Sequence, residues 1–203
     1  MIPALVLAAG RSTRMGRPKA LLPLETGETF LSRIVRTLCE ADVADVVVVL
    51  GHEPEPIVAD FERRDVVVRF AINPDFDKGQ LTSILTGLRV VDRPGVAAAL
   101  VTLVDVPLVS ASTVRAVVDR YRRTSAPIVR PVSGGRHGHP VLIDRALFDE
   151  LRTADPASGA NAVVRRHASA LGDVEVEDER AFRDIDTPAE YDRLLAELGH
   201  RGR

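Results

Sequence analysis

One cysteine, Cys39, stands among 203 residues. A single thiol closes no intramolecular disulfide and builds no cysteine-ligated zinc cluster. Cys39 reads as a small buried hydrophobe on a helix, in a reduced, cytoplasmic setting. Tryptophan is absent and aromatics make up 4% of the chain, too few for a platform that stacks single-stranded bases. An excess of positive charge is also lacking. The 27 Lys and Arg are outnumbered by 29 Asp and Glu, so no basic field points to nucleic acid. No apolar run reaches the roughly 18 residues that span a bilayer. The longest, residues 96–104, has the length of a buried strand. Residues 1–10 are apolar, but charge begins only at Arg11, the reverse of a signal peptide. The five histidines show no zincin spacing. What is left is an ordinary globular balance, 45% hydrophobic and 28% charged, that suits one domain over residues 1–203 without nucleic-acid or membrane partners.

What is present is an alternation of short β-branched runs with longer amphipathic ones. Strands are expected at residues 2–7, 46–50, 66–71, 97–104, 128–132 and 141–143. Helices are expected at 30–41, with Leu31, Ile34, Val35 and Leu38 on one face, and at 55–64 and 81–91. Further helices are expected from Ser110 or Ser112 to 122, at 145–152 and 161–167, and at 188–198 with Thr187 as N-cap. The tail, residues 200–203, is expected to fray. The βαβα order gives an α/β fold with a mainly parallel sheet and helices on both faces. Residues 97–104 are apolar on both faces, as a central parallel strand requires. Ligands of such sheets bind beyond the carboxyl ends of the strands.

The loop after the first strand carries most of the chemistry. Gly10 and Gly16 let backbone amides approach phosphate oxygens. Between and beyond them lie Arg11, Arg14 and Lys19, which can neutralise a polyphosphate, arginine by a fork and lysine as a point charge. The spacing fits neither a Walker A loop nor a Gly-x-Gly-x-x-Gly dinucleotide site. Asp105 follows the apolar strand 97–104 and so falls at the sheet's carboxyl edge. Asp186 precedes Thr187-Pro188. Each could be a turn or helix-start residue on its own. As a pair about 4 Å apart they would repel by about 1 kcal/mol in water and about 4 kcal/mol at an effective dielectric of 20. A divalent cation reverses that sign.

The segment Leu7-Ala8-Ala9-Gly10-Arg11-Ser12-Thr13-Arg14-Met15-Gly16-Arg17-Pro18-Lys19 resembles the signature loop of the molybdenum cofactor cytidylyltransferase-like group, within the guanylyltransferase-like NTP transferase superfamily. Similar segments follow at Asn73-Pro74 through Gly79 to Ser83, Val104-Asp105-Val106-Pro107-Leu108, Gly138-His139-Pro140-Val141 and Asp184-Ile185-Asp186-Thr187-Pro188. The resemblance implies a Rossmann-like three-layer sandwich of the nucleotide-diphospho-sugar transferase type. It implies a nucleotide site at Leu7, Ala8, Ala9, Gly10, Arg14, Lys19, Gly79 and Ser83, with Arg14, Lys19 and Asp105 catalytic. Asp105 and Asp186 would hold Mg²⁺, which Mn²⁺ can replace, with Asp184 as the alternative ligand. His139 and Arg136 would face an anionic acceptor, while His52 lines the site or closes a loop. Ala-Ala-Gly, in place of Ala-Gly-Gly, implies CTP.

The implied reaction moves CMP from CTP onto a phosphorylated acceptor such as molybdopterin cofactor and releases pyrophosphate, with a transient contact to a molybdenum enzyme. Two alternatives stay open. One is cytidylyl transfer to a sugar phosphate or methylerythritol phosphate. The other is an oxidoreductase, or an accessory protein of molybdenum hydroxylases, on the same fold. The chain departs from the family's pattern at Val106, at Gln80-Leu81 and at Ala157-Ser158-Gly159-Ala160-Asn161, and these departures bear on the acceptor.

Overall fold

Six apolar runs become strands of one sheet, which has eight strands among the described residues. A computed structural model describes residues 1–24, 27–64 and 66–201, with side chains to residue 199. In chain order the elements are β1 (Ala4–Ala8), α1 (Phe30–Glu40), β2 (Val46–Leu50), α2 (Glu55–Arg64), β3 (Arg69–Ile72), α3 (Gln80–Val91), β4 (Ala98–Leu103) and α4 (Ala111–Thr124). They continue with β5 (Ile128–Ser133), β6 (Arg136–His137), β7 (Val141–Asp144), α5 (Phe148–Arg152), α6 (Gly159–His167), β8 (Asp173–Glu175) and α7 (Pro188–Arg201). The strand order is β3-β2-β1-β4-β7-β5-β6, with β8 on β5. β3, β2, β1 and β4 are parallel, whereas β7 runs antiparallel to both β4 and β5.

Side chains that alternate along a strand fill the two faces in turn. Ala4, Val6 and Ala8 of β1 join Val46, Val48 and Leu50 of β2 in a core with Leu31, Ile34, Val35 and Leu38 of α1. Leu5, Leu7, Val47 and Val49 point the other way, to Leu81, Ile84 and Leu88 of α3 and to Phe148 and Val163. The result is three layers. Fully burying one Leu or Phe of this core contributes about 1.5–3 kcal/mol. A smaller third cluster joins Leu22, Leu24 and Phe30 to Ile185, Tyr191 and Leu194, and so anchors α7 beside the first loop.

Local signals set most helix ends. Thr29 and Ser32 form a reciprocal cap on α1, with Thr29 N donating to Ser32 Oγ at 2.8 Å. Ser110, rather than Ser112, caps α4 by accepting from Thr113 N at 3.2 Å. Glu190 Oε2 accepts from Thr187 N at 2.8 Å, and Glu190 N donates to Thr187 Oγ1, so Thr187 caps α7. α7 extends through Arg201, past the expected end at 198, while Gly202 and Arg203 lie outside the described residues.

Several element ends shift by one to three residues, and three expectations differ in kind or surroundings. The strand expected from residue 66 begins at Arg69, where pairing with Val47 starts. This strand is the sheet's edge, and Val67 before it is 90% exposed. Cys39 is on a helix but exposed, because α1 turns its last residues to solvent. Residues 145–147 form a 3-10 turn ahead of α5, since Asp144 Oδ1 captures Ala146 N at 2.7 Å. Among the described residues no helix is long and apolar enough to cross a membrane.

Candidate active site

The sheet presents the carboxyl ends of its adjacent parallel strands β1 and β4 to one cleft of about 310 Å³. β1 leads into the glycine-containing loop. Ser12 and Gly16 take left-handed backbone conformations, φ 52° and 66°, that turn the chain back on itself. Ser12 Oγ accepts from Lys19 N at 3.0 Å, and Ser12 O accepts from Met15 N at 2.9 Å. This hydroxyl therefore closes the loop and fixes where Lys19 starts. Gly10, Thr13, Arg14 and Lys19 all line the cleft.

β4 delivers Asp105 at the opposite wall. The chain before α7 then meets it through the main chain, Ile185 N donating to Asp105 O at 2.8 Å. Glu190 Oε2 also accepts from Asp186 N at 2.8 Å, and those backbone bonds at the helix start hold the Glu190 carboxyl below its usual range. Asp105 and Asp186 are thereby brought to one point, where Lys19 bridges them. Its Nζ lies 3.3 Å from Asp105 Oδ2 and also hydrogen-bonds Asp186 Oδ1. Arg14 Nη2 reaches Asp186 Oδ2 at 3.0 Å. Hydrogen bonding from Lys19, helped by Arg14, keeps the Asp186 carboxyl below the ordinary aspartate range. Asp184 responds the other way: loss of hydration and the charges of Asp105 and Asp186 raise it.

Asp105 Oδ1 is buried and, among the described residues, has no hydrogen-bond partner. A buried carboxylate oxygen left open costs free energy unless something binds it. Hard oxygen donors of this kind suit Mg²⁺ or Mn²⁺. Among the described residues no three His, Cys, Asp or Glu side chains converge to enclose a metal. The Asp105–Asp186 pair would thus supply two ligands, and waters and phosphate oxygens the rest, as magnesium prefers.

Of the residues anticipated from sequence, Leu7, Ala9, Gly10, Arg14, Lys19, Ser83, Asp105 and Asp186 line this one cleft. Ala8 turns into the first core instead. Gly79, at φ 111°, sits just before α3 and does not line the cleft. His139 feels the charges of Asp184 and Asp105, and burial pushes its imidazole below the ordinary histidine range. Arg136 is exposed on β6 with its guanidinium 5.7 Å over the Phe182 ring, facing a separate groove with Glu177 and Asp178. The structure does not bring it to the cleft. The backbone of His52 donates to Ala9 O at 3.2 Å and its ring packs 5.9 Å from Phe76, so it closes a loop beside the site.

Phe76 and Gln80 line the cleft too and were not singled out from sequence as site residues. The legible signal was Asn73, which is 1% exposed. Its Nδ2 donates to Ser83 Oγ at 3.0 Å and its Oδ1 accepts from Asp75 N at 3.0 Å. One buried amide thus arranges the whole segment that carries Phe76, Gln80 and Ser83.

Residues 4–171 match the MobA-like NTP transferase domain. A nicotine blue oxidoreductase from Paenarthrobacter nicotinovorans is 30% identical over 96% of this chain and 96% of its own. A molybdenum cofactor guanylyltransferase from Rhizobium meliloti (strain 1021) is 31% identical, covering 97% of this chain and 91% of its own. A molybdenum cofactor cytidylyltransferase from Escherichia coli (strain K12) is 25% identical over 94% and 93%. The crystal structure of Rv0371c from Mycobacterium tuberculosis H37Rv, in complex with manganese, superposes with a TM-score of 0.74 at 27% identity, over 96% of this chain and 98% of that one. A match over that much of the sequence shows where the chain belongs: it is a member of the MobA-like NTP transferase domain family, and a nucleotidyltransferase.

Proposed function

We propose that this chain transfers CMP from CTP, with Mg²⁺, onto a phosphorylated acceptor such as molybdopterin cofactor, releasing pyrophosphate. The observation that carries the reading is the convergence of Arg14 and Lys19 with Asp105 and Asp186 in one cleft at the ends of β1 and β4. The nucleoside would rest against Leu7, Ala9 and Ser83 at the cleft wall. The triphosphate would follow the loop from Gly10 to Lys19. The small side chain of Ala9 leaves room for a base, and CTP is preferred because Ala8-Ala9-Gly10 matches the pattern that the resemblance implies for cytidine.

In the transfer, an acceptor phosphate oxygen attacks the α-phosphorus of the nucleotide. A new P–O bond forms as the bond to the β-phosphate bridging oxygen breaks, and that electron pair leaves with pyrophosphate. The attacking oxygen is already ionised near neutral pH, so no protein nucleophile is needed. Arg14 and Lys19 exchange their contacts with Asp186 for the departing pyrophosphate and stabilise its charge as it develops. Asp105 and Asp186 would hold the divalent ion, which supplies charge neutralisation across the phosphates.

His139, beside Asp105 and Asp184, is our acceptor-binding residue, whereas Arg136 faces the separate groove with Phe182. Among the described residues the His139 ring makes one hydrogen bond, Nδ1 to Val101 O at 3.4 Å. A carbonyl only accepts, so in that contact Nδ1 carries the proton and Nε2 is left to accept. This suits a hydroxyl or amine of the acceptor better than its phosphate. The protein would hand the nucleotidylated acceptor to a molybdenum enzyme in transient contact. A panel of four NTPs against phosphorylated acceptors, with pyrophosphate detection, tests the proposal. CTP with a molybdopterin acceptor should give the fastest release, and no release from any pair would overturn it.

A second reading, redox chemistry on this scaffold, has one observation in its favour, the relative named nicotine blue oxidoreductase. The same panel with NADH or NADPH in place of NTP separates the two.

A further inference from the structure

We propose that Arg11 is a positioning residue for the triphosphate, a cation held unneutralised on an aromatic face at the rim of the cleft. The inference rests on the nucleotide reading above. The signature loop carries three arginines at three-residue spacing, and each is held differently. Arg14 is paired with Asp186. Arg11 lies over the Phe76 ring at 5.0 Å, and Arg17 over the Tyr191 ring at 5.7 Å. Among the described residues no ion pair includes Arg11 or Arg17.

The type of partner decides what the cation can do. A carboxylate cancels most of an arginine's field, and an incoming phosphate must compete with it. An aromatic face attracts the guanidinium through its quadrupole and leaves the full charge in place. Arg14 and Lys19 are therefore muted until a ligand displaces Asp186, whereas Arg11 is available from the first encounter.

Its place is also fixed. Arg11 adjoins Gly10, and both Gly10 and Phe76 line the cleft. Phe76 is seated by Gly51: a Cβ there would fall 2.6 Å from Phe76 Cβ and Cγ and 2.7 Å from Ala9 O. His52 packs against the ring at 5.9 Å. The ring is thus tied to the strand ends that build the site, and it holds Arg11 beside the path of the phosphates. Arg17 supplies an internal control. Tyr191 is buried in the third core cluster and does not line the cleft, and Arg17 also hydrogen-bonds its side chain, so Arg17 is a loop arginine on an aromatic residue without the location.

Two probes, CTP and inorganic tripolyphosphate, each with Mn²⁺, would be titrated calorimetrically at about 20 mM and about 0.3 M salt, where screening lengths differ severalfold. Arg11→Gln should weaken both probes about fivefold at low salt, and the deficit should shrink at high salt. In turnover, KM for the nucleotide should rise more than kcat falls. Arg11→Lys should restore most of the binding, because an ammonium keeps the charge. Arg17→Gln should cost clearly less than Arg11→Gln. Wild-type binding with Arg11→Gln unchanged overturns this proposal alone. So does a deficit that persists at high salt, that lysine does not rescue, or that Arg17→Gln reproduces in full. A wild-type protein that binds neither probe overturns the nucleotide reading and this one with it.

Discussion

Lys19→Met separates two roles that the free protein superimposes on one ammonium. Lys19 Nζ lies 3.3 Å from Asp105 Oδ2 and hydrogen-bonds Asp186 Oδ1. At that separation and an effective dielectric of 20, one such contact is a gross attraction of about 5 kcal/mol. The side chains are 11%, 23% and 34% exposed for Lys19, Asp105 and Asp186, so hydration and screening leave only a small part of it as net stabilisation. The lysine still competes with a divalent ion for the same two carboxylates. Methionine keeps the length of the side chain and removes the charge. Mn²⁺ should then bind the free variant about tenfold more tightly than wild type, a gain of about 1.4 kcal/mol. CTP with Mn²⁺ should bind at least about tenfold more weakly, because the phosphates lose their point charge. Paramagnetic resonance of free Mn²⁺ gives the first number and calorimetry the second. If Mn²⁺ affinity of the free protein is unchanged or falls in the variant, the ammonium does not occupy the metal's place and the reasoning fails.

Two further outcomes concern the frame around the site. A Cβ at Gly172 would fall 1.8 Å from Ile128 O, so Gly172→Ala must part β8 from β5. It should destabilise by about 3 kcal/mol and lower Tm by about 6–12 °C; an unchanged Tm would show that the two strands separate freely. Burial of Asp178 opposes its ionisation, but hydrogen bonds from Arg180 and from Ser110 outweigh this and lower its pKa. The carboxylate therefore adds stability above the unfolded aspartate pKa of about 3.9, and that stability is lost as pH falls through the lower folded value. Tm of Asp178→Asn should trail wild type near pH 7 and converge with it in acid, whereas a gap independent of pH would remove Asp178 from the balance.

The parallel half of the fold was legible because hydrophobic period and burial coincide there. Residues 46–50 and 55–64 fall at the bounds expected for them, since β2 is apolar on both faces and α2 is punctuated at each end. β6 and β8 were missed because strands of two and three residues carry no readable alternation. The cation-bearing loop and the place of Asp105 at the sheet edge were legible from position, at the ends of buried strands, whereas the use of Asp105 came from the resemblance. Asp186 needed the resemblance, since nothing in its spacing reveals the main-chain bond from Ile185 to Asp105. Phe76 was invisible for a related reason: its role depends on the missing side chain of Gly51, on a different strand end. Arg136 and His139 look like neighbours in sequence, but the β6 hairpin turns one toward Phe182 while the other is drawn in beside Asp105 and Asp184.

Everything proposed for the cleft depends on Asp105 and a divalent ion acting together on a nucleotide. Calorimetric titration of CTP and GTP, with and without Mg²⁺, into wild type and Asp105→Ala addresses that dependence. CTP should bind wild type more tightly than GTP and only with the metal. Asp105→Ala should lose both the metal dependence and pyrophosphate release while keeping its fold by circular dichroism. Equal indifference to both nucleotides, with or without metal, or unchanged turnover in Asp105→Ala, would contradict the account.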